Sequence, residues 1–311
     1  MTREEHSATQ HQVTNLQIPQ WIADIPPHQP VLIAGPTASG KSALALHIAQ
    51  SKGGVIINAD ALQVYSNWRI LTARPTQKEE SRAVHALYGH VDGQTHYSVG
   101  QWLRDIIPFI TGDMRPIIVG GTGLYFSALT QGLVDIPAIP KDVQDLCAQR
   151  WETEGITGLA GELDDTTRAR IDLQNPMRVM RAWQVWRHTG KSLIDWQNET
   201  PPPLLNLNTC SAIVFSTSTE WLNARIAWRF KQMLECGALD EAQENFDNFS
   251  QSSPSGKAIG AAELISHLQG TLTLQEAIEQ ANIATRQYAK RQRTWFRSNM
   301  QKWQIFDPSL S

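Results

Sequence analysis

The chain has 311 residues, of which 41% are hydrophobic and 18% charged, enough for one large domain or two modest ones around a real core. Its formal net charge of -3 excludes a surface that is basic throughout, so any nucleic-acid contact must be a local patch. Cys147, Cys210 and Cys236 stand far apart with no C-x-x-C pair, which excludes a disulfide framework or zinc finger and fits a reducing, cytoplasmic setting.

No apolar run approaches the roughly 18 residues of a membrane span. Residues 1–28 are polar, and the early Glu4 and Glu5 argue against a signal or transit peptide. They read as a flexible tail, with Trp21-Ile22 docking on the body. The apolar run Val31 to Ala34 predicts a buried strand, and Ala43 to Gln50 a helix. Between them lies Gly35-Pro36-Thr37-Ala38-Ser39-Gly40-Lys41-Ser42, a match to G-x-x-x-x-G-K-[ST] in the strand–helix context the motif requires. Glycine lets successive N–H groups turn inward, and the helix start adds its positive end, so the loop makes a cradle for phosphate oxygens. Lys41 suits the outer phosphate and the Ser42 hydroxyl suits a magnesium ion.

Further strands are predicted at Val55 to Ile57, ending in Asn58-Ala59-Asp60, and at Pro116 to Val119, ending in Gly120-Gly121-Thr122-Gly123. Unbroken β-branched runs bounded by turn residues fit a parallel sheet covered on both faces, with ligands at its carboxyl ends. The expected fold is therefore α/β, a P-loop NTPase-like core over 29–138 and 208–311, with helices at the C-terminal end. From about Pro140 the pattern turns helical, with an Asn175-Pro176 start and a Gly190 stop. Pro201-Pro202-Pro203 reads as a linker before a strand at Ala212 to Phe215. Residues 139–207 accordingly read as a helical insertion.

Asp60 is the leading candidate for chemistry. At the tip of the strand after the P-loop helix, a carboxylate can hold magnesium through water, act as a general base, or simply cap the next turn. Gln63 and Tyr65 alternate with Leu62 and Val64, which predicts that they share one side of an extended segment. Arg225 and Arg229 lie one helical turn apart on a helix expected to open with a Thr217–Glu220 capping box and stop at Gly237. They can clamp a diphosphate or pair with Glu220 and Glu235.

Two basic stripes stand out. Arg286, Lys290, Arg293 and Arg297 follow one helical face, with Tyr288 and Trp295 beside it. Arg168, Arg170, Arg178, Arg181 and Arg187 interleave with Met177, Met180, Trp183 and Trp186. Such stripes track an RNA backbone or form a solvated face, and the Met and Trp positions suit a core equally well. The strand before Gly120 ends without a Walker-B carboxylate, which disfavours an ATP-hydrolysing motor.

The ordered segments GPTASGKSALA (35–45), NADALQVYSNW (58–68), PIIVGGTGLYFSAL (116–129), NPMRVMRAWQVWRHTGKSL (175–193), KAIGAAEL (257–264) and ATRQYAKRQRTWFR (284–297) resemble the bacterial tRNA dimethylallyltransferase family. The resemblance implies transfer of a dimethylallyl group from its diphosphate, with magnesium, to N6 of the adenosine 3′ of the anticodon in tRNAs reading codons that start with U. It implies that Thr37 to Ser42 hold a diphosphate leaving group, that Asp60 takes the amine proton, that Thr122 lies beside the reacting groups and that Arg225 neutralises the diphosphate. Asp60, Ala61, Leu62 and Gln63 would wall the channel for a flipped-out adenine. The anticodon loop would be held by Asn175, Pro176, Met177, Arg178 and Val179 and by Lys257, Ala258, Ile259, Gly260, Ala261 and Ala262, with Gln144 also on the RNA. Leu71, Arg74, Gln144, Ala61 and Ala262 depart from the family pattern. The expected partners are a tRNA anticodon stem-loop and dimethylallyl diphosphate, with no membrane and a monomeric chain. The alternatives are an isopentenyltransferase acting on free AMP, ADP or ATP, a nucleoside or nucleotide kinase, and a P-loop protein that only binds RNA.

Overall fold

The computed structural model describes residues 19–310. In chain order these form α1 (Gln20–Ala23), β1 (Val31–Ala34), α2 (Lys41–Lys52), β2 (Val55–Asn58), α3 (Gln77–Glu80), β3 (Val84–Ala86), α4 (Val99–Ile110), β4 (Pro116–Gly120) and α5 (Gly123–Gln131). Then come α6 (Lys141–Gly161), α7 (Asp165–Arg170), α8 (Pro176–Thr189), α9 (Leu193–Asn198), β5 (Ser211–Phe215), α10 (Thr219–Glu235), α11 (Ala238–Glu244), α12 (Ala261–Leu268), α13 (Leu274–Asn299) and β6 (Gln304–Phe306). The chain divides into two compact units: the residues up to Ser127 with Leu205 onward, and Ala128–Leu204.

The first unit is built on a parallel sheet in the order β3-β2-β4-β1-β5-β6. Every residue of β1, β2 and β4 is buried, which is why these strands read as continuous apolar runs. Val31, Ile33, Ile56, Ile117, Val119 and Ile213 pack with Leu44, Ala45 and Ile48 of α2 in one core. The sheet also contains β3 and β6, three residues each and partly exposed, too short to give a period-2 signal. Since β1 lies between β4 and β5, the P-loop emerges beside the Gly120–Gly123 turn.

Three local expectations are corrected. The tail reading of 1–28 falls partly outside the described residues; Trp21 and Ile22 dock on the body as expected, but Ile25 enters the core as well, so the chain is held from Pro19 on. Arg115 fixes this stretch by donating to the carbonyls of Pro26 and Pro27. The cap of α10 is Ser218, whose side chain accepts from the Trp221 N–H, and not Thr217. Ser218 is the extended residue directly before the helix, with φ -64° and ψ 155°, while Thr217 is buried and its hydroxyl donates to the Ser218 carbonyl. Finally, residues 61–67 are bends and a turn with a single bridge from Tyr65 to Val91, so the alternation of Gln63 and Tyr65 with Leu62 and Val64 fails. Leu62, Val64 and Tyr65 instead join one apolar cluster with Val91 and Tyr97.

The second unit is helical. Its core is Cys147, Leu159, Leu163, Val179, Ala182 and Trp183, drawn from α6, α8 and the segment between them. Asn175 caps α8 by accepting from the Arg178 N–H, Pro176 occupies its first turn, and Gly190 ends it with φ 67°. Glu162 accepts from the buried Trp183 indole at 2.8 Å and pairs with Arg150. Trp183 and Met180 therefore belong to the core, while Met177, at 72% exposure, and Arg178 face outward.

Candidate active site

The loop after β1 curls as a phosphate cradle must. Ala38 has φ 62° and Gly40 φ 95°, left-handed conformations that turn the peptide N–H groups inward. Lys41 reaches back to the Pro36 carbonyl at 3.4 Å, and Ser42 opens α2 with its side chain exposed. From α10, Arg225 donates through Nε to the Ala38 carbonyl at 2.8 Å and stacks over Trp221. Arg229 stands one turn further on. Ala38, Gly40, Lys41, Ser42, Arg225, Trp228 and Arg229 line one cleft, so both arginines meet the loop, and neither forms an ion pair with Glu220 or Glu235.

Desolvation dominates the electrostatics here. It pushes the Lys41 ammonium down to about 8; the Asp60 carboxylate opposes the fall and Arg229 adds to it. It likewise lowers Arg229, again against the pull of Asp60. A cluster of cations crowded out of water is a site that gains by taking up an anion.

Asp60 follows β2 on a tight turn. Its N–H donates to the Asn58 side chain at 2.8 Å, and its Oδ1 accepts from the Leu62 N–H at 3.0 Å. The Asn58 amide also donates to Leu87 O, so the carboxylate stands on a pinned support. The Thr122 hydroxyl accepts from the Ala61 N–H at 2.9 Å, which joins the turn after β4 to the one carrying Asp60. Glycine is required at this junction. A Cβ on Gly120 would sit 2.0 Å from the Ala59 carbonyl oxygen, and one on Gly121 would sit 3.2 Å from Asp60 Oδ2.

Beside the cradle lies a pocket lined by Thr37, Ala38, Asp60 and Arg229 on its polar side. Leu62, Leu71, Ile226, Phe230, Met233 and Ile259 supply apolar walls, and Thr72, Thr285 and Tyr288 complete it. One wall is braced from behind: the Glu241 carboxylate accepts from the backbone N–H groups of Arg69, Ile70 and Leu71 at 2.5 to 2.9 Å. Gln63 donates to the carbonyls of Thr72 and Ala73 at 2.8 and 3.0 Å, so its amide holds the same wall. Leu71, one of the departures from the family pattern, is a pocket residue packed with Phe230 and Trp68. Arg74, another, covers Gly89 and donates to the carbonyls of Tyr65 and Ser66.

The candidate residues thus sort into groups. The P-loop, Asp60, Ala61, Leu62, Gln63, Thr122, Arg225, Arg229 and Ile259 surround one place in the first unit. Ala258, Gly260 and Ala261 are buried beneath it, and Val179 is buried in the core of the other unit. Small and branched apolar residues in those motifs pack helices, leaving the exposed Lys257 and half-buried Ala262 as the outward positions. Arg286, Lys290 and Arg293 line a separate groove with Arg297, and Arg293 donates to Thr219 at 2.7 Å. Gln144, Asn175, Pro176, Met177 and Arg178 belong to the second unit.

On α13, Tyr288 and Trp295, read from the sequence as flanking the basic stripe, turn toward the site, and Gln292, which no sequence motif marked, joins them. Tyr288 lines the pocket, and burial next to the Asp60 carboxylate raises its phenol well above the usual range. Trp295 packs where a Cβ on Gly123 would lie, and the buried Gln292 touches both loops. Tyr288, Gln292 and Trp295 recur at i, i+4 and i+7, a stripe visible in the sequence but hidden by the basic residues between them.

Fold and site define a P-loop α/β protein whose anion cradle opens onto an apolar pocket holding a single carboxylate. The sequence model described as IPP transferase matches residues 63–299, and that described as isopentenyl transferase matches residues 29–88. The chain belongs to the IPP transferase family. It is 56% identical over 287 residues to a tRNA dimethylallyltransferase from Ruegeria sp., covering 92% of this chain and 98% of that one. It is 57% identical to one from Jannaschia sp., with 91% and 97% covered. Among solved structures, the full-length tRNA isopentenylpyrophosphate transferase of Bacillus halodurans aligns with TM-score 0.63 at 33% identity, covering 90% of each chain. A eukaryotic dimethylallyltransferase acting on tRNA aligns with TM-score 0.75 at 26% identity, over 90% of this chain and 73% of that one. No helix among the described residues is long and apolar enough to cross a membrane.

Proposed function

We propose that this chain is a cytoplasmic, monomeric tRNA dimethylallyltransferase that moves a dimethylallyl group from its diphosphate to N6 of the adenosine 3′ of the anticodon, in tRNAs reading codons that start with U. The observation that carries the reading is the apolar pocket wedged between the anion cradle and Asp60. A nucleoside triphosphate has no use for a wall of Leu62, Leu71, Ile226, Phe230, Met233 and Ile259 at its phosphate end, whereas a branched five-carbon group does. The same wall disfavours a kinase. Against an enzyme acting on a free mononucleotide stand the helical second unit, with exposed Met177 and Arg178, and the basic groove on α13.

The steps follow from the residues. The amine nitrogen attacks the allylic carbon, the carbon–oxygen bond to the diphosphate breaks, and Asp60 takes the proton the nitrogen sheds. Negative charge grows on the departing diphosphate, where the inward N–H groups, Lys41, Arg225 and Arg229 meet it. Thr122 holds the Ala61 peptide and through it the turn that aims Asp60. The Ser42 hydroxyl is a hard oxygen donor suited to magnesium, which binds through one or two such groups together with substrate phosphates. When bound, the ion would neutralise diphosphate charge.

The test incubates the protein with labelled dimethylallyl diphosphate, magnesium and either unmodified tRNA or AMP. Label in tRNA supports the reading. Label in AMP, or ATP consumption without any prenyl transfer, overturns it.

A further inference from the structure

The buried amide of Gln292, on the stripe of α13 that faces the site, is 6% exposed and hydrogen-bonded at both ends. Its Oε1 accepts from the Thr37 N–H at 2.9 Å, and its Nε2 donates to the Gly121 carbonyl at 2.9 Å. Thr37 lies in the cradle after β1, and Gly121 in the turn after β4, two neighbouring strands of the sheet. One loop receives the leaving group. The other carries Thr122, whose hydroxyl and N–H bond the Ala61 N–H and the Ala59 carbonyl on either side of Asp60.

We propose that Gln292 is a positioning residue whose amide keeps the diphosphate cradle in register with the turn that orients Asp60. The inference rests on the prenyl-transfer reading above. An uncharged carboxamide offers an acceptor and a donor at fixed separation. Glutamate keeps the acceptor for Thr37 but turns a lone pair on the Gly121 carbonyl; methionine fills the volume and bonds neither. Burying an amide costs free energy unless both ends find partners, so a residue that merely filled space would be apolar. Here both ends are satisfied, and by the two loops whose spacing sets the distance between leaving group and base. Misplacement of reacting groups by about 1 Å can cost about a hundredfold in rate.

The full chain is tested with Gln292→Met in steady-state transfer, varying the allylic diphosphate and an anticodon stem-loop RNA separately. The expected result is a kcat lower by about 30- to 100-fold with each KM within about threefold. Combined with Thr122→Ala, the losses multiply to at least about tenfold less than the product of the single losses, because both act through one turn. A kcat within about threefold of the unmodified chain, a loss carried by KM, or fully multiplicative losses overturn the proposal. If the Met variant does not fold, Gln292→Glu serves under the same criteria. Hydrogen exchange without substrate reads the link independently of activity: amides of 35–42 and 120–123 exchange faster together in the variant, and unchanged exchange in both refutes the coupling. An unmodified chain that transfers nothing sinks the functional reading, while the exchange data still decide the role of Gln292.

Discussion

Replacing Asp60 by asparagine isolates its chemistry from its structural part. The substituted carbonyl oxygen can still accept from the Leu62 N–H, now at 3.0 Å, and the residue-60 N–H keeps its 2.8 Å bond to Asn58. Shape and turn therefore survive, while the negative charge and the ability to take a proton are lost. Losing a general base costs about 10²- to 10⁴-fold in kcat. That corresponds to about 3 to 5.5 kcal/mol of transition-state stabilisation. A second effect follows from electrostatics. The Asp60 carboxylate holds the Lys41 ammonium up against desolvation, so without it Lys41 falls below about 8 and loses its proton at lower pH. The assay is single-turnover transfer of labelled dimethylallyl to an anticodon stem-loop at a pH about one unit below neutrality, below the Lys41 value of about 8 in the unmodified chain. The variant is expected to bind the RNA within about threefold of the unmodified chain and to transfer at least about a hundredfold more slowly. Transfer within tenfold of the unmodified rate would refute the assignment of Asp60 as base.

Three further outcomes are expected. Pyrophosphate affinity, followed by calorimetry, should weaken as pH rises through the Lys41 value of about 8, because the charged form binds the anion and exists below that value; Lys41→Met should bind weakly with no such step, and a flat profile for the unmodified chain would contradict the cradle. Gly120→Ala should cost about 3 kcal/mol or more in denaturant unfolding, since its Cβ would sit 2.0 Å from the Ala59 carbonyl oxygen and backbone must move to admit it. Glu241→Gln should lower stability by about 1–3 kcal/mol, because the new amide NH₂ faces backbone N–H groups where a carboxylate took three of them. The same variant should raise KM for the allylic diphosphate, as Leu71 and Thr72 form the wall it braces.

What was legible in the sequence is what short-range physics writes there. The strands β1, β2, β4 and β5 announce themselves as apolar runs because both faces of each are covered, and their predicted bounds agree with the structure to within one residue at either end. The phosphate cradle is local too: eight consecutive residues carry its glycines, its lysine and its hydroxyl. Spacing of one helical turn put Arg225 and Arg229 on a common face, and the structure brings that face to the loop. Tertiary structure decided the rest. Bends and a turn at 61–67 cancelled an alternation that looked extended, since Leu62, Val64 and Tyr65 all found one cluster. The bonds from Thr37 to Gln292 and from Leu71 to Glu241 span 255 and 170 positions, and no local pattern marks a side chain whose partners are backbone groups that distant. The sequence alone marked the loop expected to cradle a phosphate and put Asp60 at the tip of the neighbouring strand. Folding decided that the neighbouring space is apolar, because its walls come from β2's following turn, α10 and the segment before α12, which meet only when the sheet has brought their ends together.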